Sequence, residues 1–166
     1  MTFIRIKKIK RKEYAYIVES EWKRKSSRQK VKGYLGRVYR FELNNPIDFL
    51  QFVKAENAEK YVNENDANKI IKDLIEWEVF KFGVDRQKFS VDLTSKKIQI
   101  RNKNTVLLIN DGFMCNLTLK KLLELESENN EENGGYRLAK SFVEAGIKVP
   151  QEIFVGLFEK LYNKNK

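Results

Sequence analysis

The sequence predicts an α+β fold, and three observations carry that prediction. Apolar and polar residues alternate with a period of two through most of residues 1–42, as in half-buried strands. Two stretches, 66–83 and 150–162, repeat apolar residues at the i, i+3, i+4 spacing of a helix face. Between them the period of two returns in KFSVDL, KKIQIR and TVLLIN. The expected architecture is an N-terminal three-stranded antiparallel meander, a central helix with a small second sheet, and a helical C-terminal region. Residues 1–43 would form a basic module and 44–166 an α+β body, either apart or as one continuous domain.

The elements follow in chain order. TFIRIKK alternates until Lys8 breaks the period before Ile9, which predicts a bulge or a strand end. EYAYIVESEW puts Tyr14, Tyr16, Val18, Ser20 and Trp22 on one face and Ala15, Ile17, Glu19 and Glu21 on the other. KVKGYLGRVYRF makes a third strand whose interior glycines, Gly33 and Gly36, predict a bulge, a coil or a close backbone approach. RKE reads as a short turn and KRKSSR as a longer loop. In NNP, Asn45 is the expected N-cap and Pro46 the first residue of a short helix with Ile47, Leu50 and Phe52 or Val53 inward. A second short helix is expected from Ala58 to Val62.

DANKIIKDLIEWEVFKFG is the clearest helix, capped by Asp66 and ended by Gly83. Its expected buried stripe is Ile70, Ile71, Leu74, Ile75, Trp77 and Phe80. TSKK should join the next two strands as a hairpin, and the all-apolar VLLI suits a strand covered on both faces. After Gly112 the pattern turns helical, with Leu119, Leu122 and Leu123 as one stripe, and Leu138, Ala139, Phe142 and Val143, ended by Gly146, as another. The acidic segment from Glu124 to Gly135 between them predicts a mobile, solvated loop carrying a glycine pair. Pro150 opens the last helix, with Ile153, Phe154, Leu157, Phe158, Leu161 and Tyr162 as its face.

Composition removes several function classes. With no histidine and one cysteine, Cys115, in 166 residues, the mixed Cys/His zinc patterns and every Ser-His or Cys-His nucleophile pair are excluded. Cys115 reads as a small buried hydrophobe. No apolar run is long enough to span a bilayer, and the N-terminus is charged from Arg5 onward, so a soluble cytoplasmic protein with no membrane partner is expected. No Walker or dinucleotide loop is present, and neither a cofactor nor a metal is expected.

The net charge of +10 is concentrated in one place. Residues 1–42 hold 14 Lys and Arg against four acids, whereas the remaining 124 residues hold 19 of each sign. A charge excess confined to one quarter of the chain points to a surface for a polyanion, DNA or RNA. The candidate phosphate contacts are Arg5, Lys7, Lys8, Lys10, Arg11 and Lys12 on the first strand and turn. Lys23, Arg24, Lys25 and Arg28 follow around the second turn, and Lys30, Lys32, Arg37 and Arg40 lie along the third strand. Phosphate binding needs several such cations because each neutralised phosphate releases counterions. Aromatic residues among them can stack on bases, and Trp22 and Tyr34, flanked by cations, are the two candidates for that role. The competing reading is that the lysines protect strand edges and the aromatics are core.

FIRIKKIKRKEYAYIVES, followed by a basic loop and RQKVKGYLGRV, resembles the opening module of DDE-type insertion-sequence transposases. The resemblance covers Phe3 to Tyr39. It is similar also to short archaeal proteins that carry this opening without a transposase body. It implies binding to the ends of a DNA element, with Arg5, Lys7, Lys8, Arg28, Lys30 and Arg37 on phosphates. A nuclease or transposase relic would use carboxylates and a metal, and Asp92 in VDLTS and Asp111 in INDGF are the only candidates. Too few residues separate them for an RNase H-like core, and each reads better as a turn acid after a strand. The C-terminal helices, with balanced charge and acids where a recognition helix needs cations, read as core and as a surface for a protein partner. A third reading follows, an adaptor docked on a ribonucleoprotein or an acidic protein.

Overall fold

The computed structural model describes residues 1–125 and 133–162. Its strands are β1 (Thr2–Ile9), β2 (Lys12–Lys23), β3 (Ser26–Arg40), β4 (Ser90–Asp92), β5 (Lys97–Ile100), β6 (Lys103–Ile109) and β7 (Gly112–Met114). Its helices are α1 (Phe49–Val53), α2 (Ala58–Glu64), α3 (Ala67–Lys81), α4 (Asn116–Leu123), α5 (Gly134–Glu144) and α6 (Gln151–Tyr162). The class is α+β, as the alternation of periods predicts.

The strands lie in the order β1-β2-β3-β6-β5-β4, with β7 paired to β6 beyond the reach of β5. All neighbours are antiparallel except β3 and β6, which run parallel through Arg37–Arg40 and Thr105–Leu108. That pairing joins the meander to the second group of strands. β3 is 15 residues long, but only its last four pair with β6. The rest of β3, with β2 and β1, therefore projects as an arm, on the order of 30 Å long at the usual strand rise.

Two-residue turns close both ends of the meander. Lys10–Arg11 and Arg24–Lys25 all have positive φ (47°, 66°, 37° and 76°), the conformation that matches the twist of a tight hairpin. The expected KRKSSR loop is thus a two-residue turn, and Ser26 already belongs to β3. β1 pairs with β2 without a break and simply ends at Ile9. The irregularities lie in β3, where Lys32 and Leu35 are each an extra residue against β2.

Gly36 explains the second of these. Its φ is +136°, and a Cβ there would stand 2.4 Å from the Asn104 carbonyl oxygen. Only glycine lets β3 turn into its parallel pairing with β6 at that point.

Two clusters of buried side chains flank the sheet. The larger joins α1–α6 to one face of β4–β7 through Phe49, Ile70, Leu74, Ile98, Leu107, Met114, Leu122, Phe142 and Leu157. The smaller, Ala15, Leu35, Val38, Val106 and Cys115 with Leu108, Phe113 and Leu117 beside them, covers the opposite face at the root of the arm. β6 separates the two, Val106 and Leu108 facing one cluster and Leu107 and Ile109 the other, as its unbroken apolar run predicts.

Several local expectations need correction, among them Val143, expected in the buried stripe of α5 but exposed. The cap of α1 is Asp48, which accepts from the Leu50 N–H, while Asn45 donates to the Phe80 carbonyl and Pro46 precedes the helix. β7 precedes the helix after Gly112. On α3, Phe80 is exposed and Glu78 is fully buried instead. Glu78 accepts from Asn110 Nδ2 at 3.0 Å and the Lys148 N–H at 3.0 Å, and Lys81 Nζ lies 3.2 Å away, so its charge is compensated on three sides. Residues 126–132 of the expected acidic loop lie outside the described residues; Gly134 and Gly135, expected in that loop, open α5, with Gly134 under the Tyr162 ring.

Gly36→Ala should destabilise the fold by at least about 2 kcal/mol, from backbone strain and from the clash with β6. Urea unfolding checks this, with Gly33→Ala as control, since a Cβ at Gly33 meets nothing nearer than 3.6 Å.

Candidate nucleic-acid interface

Directly paired residues of an antiparallel sheet share a face, so the register sorts the paired side chains of the arm, and the two extra residues of β3 are placed by their contacts, Lys32 with Glu19 and Leu35 in the smaller core. One face carries Phe3, Arg5 and Lys7 of β1, Lys12, Tyr14, Tyr16, Val18, Ser20 and Trp22 of β2, and Ser27, Gln29, Val31, Tyr34, Arg37 and Tyr39 of β3. It is the aromatic face. The other carries Ile4, Ile6, Ala15, Ile17 and Val38, whose root rests on the smaller core.

The charges divide unequally between the two. Of the 14 cations in residues 1–42, four stand on the aromatic face (Arg5, Lys7, Lys12, Arg37), four in the two turns, and six on the opposite face. The three acids of the meander, Glu13, Glu19 and Glu21, all stand on that opposite face. Each meets a cation there. Glu13 takes the Arg40 guanidinium at 2.6 and 2.9 Å, Glu19 takes Lys32 at 2.6 Å, and Glu21 lies 3.7 Å from Lys23. The hydrogen bond from Arg40 holds Glu13 below the usual carboxylate range, and that from Lys32 does the same for Glu19. The aromatic face has no acid at all, and among the described residues none of its four cations is in an ion pair.

Among the described residues no helix packs extensively on β1 or β2, so the side chains of the aromatic face shield the sheet themselves. Arg5 reaches across β2 to donate to Gln29 Oε1, passing over Val18, which is only 2% exposed. Beside this bridge Tyr16 packs on Tyr34 with ring centroids 5.3 Å apart, and Tyr14, also on β2, lies 6.4 Å from Tyr34. Burial against these rings pushes the Tyr34 hydroxyl above its usual pKa. Tyr34 nevertheless remains 55% exposed, and Trp22, near the tip, is 82% exposed. Both stand out in solvent among cations. Arg5 and Lys7 flank the tyrosines on the β1 side and Arg37 on the β3 side.

At the root the face continues toward the body. The Arg37 guanidinium sits 4.8 Å from the centre of the Tyr39 ring, and Lys88 Nζ lies 5.6 Å from the same ring. Tyr39 also packs edge-on against Phe89 at 5.2 Å, which ties it to the larger core. Beyond it opens a cleft of about 720 Å³ lined by Lys88, Arg101, Asn102, Gln99 and Arg86, with Asp85 on its wall. Lys88 and Arg101 were not among the expected contacts. They lie far along the chain and reach the meander only through the parallel β3–β6 pairing, for which the sequence carries no signal.

The other candidates occupy different ground. Lys10, Arg11, Arg24 and Lys25 are the turn residues, exposed at opposite ends of the meander. Lys8, Lys23, Arg28, Lys30, Lys32 and Arg40 face away from the tyrosines, and three of them serve the acids. Asp92 Oδ1 accepts from the Thr94 and Ser95 N–H groups, closing the turn after β4, and those backbone hydrogen bonds lower its pKa. Asp111 is the second residue of the two-residue turn between β6 and β7, with φ 60°. β5 lies between the strands that carry them. Among the described residues no cluster of three or more Asp, Glu, Cys or His side chains could hold a metal. Cys115 is buried, and burial raises its thiol pKa. The C-terminal helices expose Tyr136, Val143 and Val155. No described helix is long and apolar enough to cross a membrane. No protein-family model, curated protein or solved structure matches this chain.

Proposed function

We propose that this chain is a small nucleic-acid-binding protein that holds phosphates on the aromatic face of its meander and uses the α+β body as the scaffold. One observation carries the reading: every acid of the meander lies on the face opposite the tyrosines. Edge protection accounts for Lys32, itself a bulge residue, and for Lys30 close by on the same exposed strand edge. It does not account for clearing acids from one broad face. Four cations gathered there, none of them in an ion pair among the described residues, repel one another, and a polyanion would relieve that repulsion. The resemblance of residues 3–39 to a transposase opening module supports the same reading. The carboxylate-metal alternative gains nothing from Asp92 and Asp111, which are engaged in turns.

About six phosphate contacts would lower affinity roughly a thousandfold between 50 and 200 mM salt. Fluorescence anisotropy with DNA and RNA probes should show that slope. Reversing Arg37 to Glu should cost at least about tenfold, whereas Lys30→Glu on the opposite face should cost far less. A flat salt response for every probe would refute the reading.

The pH response should be nearly absent. Glu13 and Glu19 have lowered folded pKa values, so the stability from their ion pairs is present above the unfolded value of about 4.3 and fades as pH falls through the folded one. The chain has no histidine, the side chain whose ordinary charge change falls nearest neutrality. Affinity for an oligothymidylate should change less than about twofold between roughly pH 5.5 and 7.0.

A further inference from the structure

The aromatic face offers rings as well as charge, and their arrangement bears on which nucleic acid it takes. Resting on the nucleic-acid reading above, we infer that the face is a stacking platform for single strands, with unpaired bases laid on Tyr34 and its neighbours Tyr16 and Tyr14. The backbone would run between Arg5 and Lys7 on one side and Arg37 on the other.

Three features favour a single strand over a duplex. First, a π-face takes any unstacked base, and Tyr34 is 55% exposed while Tyr16 and Tyr14 support it from one side only. On its other side β3 is an open edge, because β6 pairs only with Arg37–Arg40. Second, the tyrosine region is three strands wide. At about 4.8 Å between strands, plus side chains, it is broader than a major groove of about 12 Å, which admits a two-stranded ribbon. Third, cations border the rings on both flanks, so a base on Tyr34 would have phosphates within reach of either side.

A second copy of the chain is the other natural cover for exposed tyrosines. Such a pairing would set two acid-free faces, each with Arg5, Lys7, Lys12 and Arg37, against one another. Charge complementarity therefore points to the polyanion.

The test measures binding of the full chain to labelled oligothymidylate and oligouridylate of about 20 nucleotides, and to a mixed-sequence duplex of the same length, at fixed salt. The platform predicts tighter binding to single strands than to the duplex. Tyr34→Ala should weaken single-strand binding roughly 5- to 150-fold and leave duplex binding within about twofold, while Tyr34→Phe keeps the affinity. Tyr34→Leu, which retains apolar cover for the sheet without a π-face, should behave like the alanine variant. The two single strands distinguish an RNA preference from indifference to the sugar; either result supports the platform. Equal loss on single strand and duplex, or no loss on either, would overturn it. Preferential duplex binding that depends on Arg24 and Lys25 would also overturn it, in favour of the hairpin tip entering a groove, and would leave the nucleic-acid function standing. Failure to bind any probe would remove both.

Discussion

The parallel pairing of four residues of β3 with four of β6 is the constraint on which the rest depends. Without it the meander would be a free three-stranded sheet with little core of its own. With it, Val38 and Val106 meet in the smaller core and Tyr39 reaches Phe89 at the edge of the larger one. Thr105, almost fully buried, secures the junction by donating its hydroxyl to the Arg37 carbonyl at 2.9 Å. Gly36 is the residue that permits the close approach just before the pairing begins. The junction also sets Arg37 and Tyr39 next to Lys88, so the basic face does not stop at the meander.

Register then converts a simple alternation into an asymmetry of charge between the two faces. Along β2, odd positions carry Glu13, Ala15, Ile17, Glu19 and Glu21, and even positions carry the tyrosines, Val18 and Trp22. Ala15 is fully buried and Ile17 packs beside it in the smaller core, which fixes which set points that way. A slip of one residue would put tyrosines under the arm and glutamates among the cations of the aromatic face. Packing at the root and charge along the arm are thus controlled by the same choice, and the two extra residues in β3 keep the pairs in step beyond the bend.

Much of this was legible in the sequence, and what was not has definite physical causes. Long helices announced themselves because their periodic stripe is what they bury; Asp66 and Gly83 cap and end α3 where their chemistry predicts. Phe80 and Glu78 exchanged roles because Asn110, Lys148 and Lys81, all outside the local pattern, compensate a buried carboxylate. The second hairpin turn was disguised because Arg24–Lys25 adopts positive φ without the Asn or Gly that normally marks it. β7 has only three residues, too few to show a period. The cations and the two exposed aromatics were visible, but the segregation of acids needed the pairing register, and Lys88 and Arg101 needed a non-local contact.

The arm also breaks a general rule, and the way it does so is informative. A three-stranded sheet with one uncovered face and two open edges invites association with other strands. Cations in the turns and bulges along β3 are adequate protection for the edges, and ion pairs on the core-side face leave that side less repulsive. The aromatic face follows neither policy: it exposes Tyr34 and Trp22, which a surface meant only to stay apart would not show, and withholds the acids that would balance its cations. Natural sequences depart from local consistency mainly where a site requires it. A surface that resists its own kind by charge while presenting rings to solvent fits a flexible polyanion with stackable groups, the chemistry of an unpaired nucleic-acid strand.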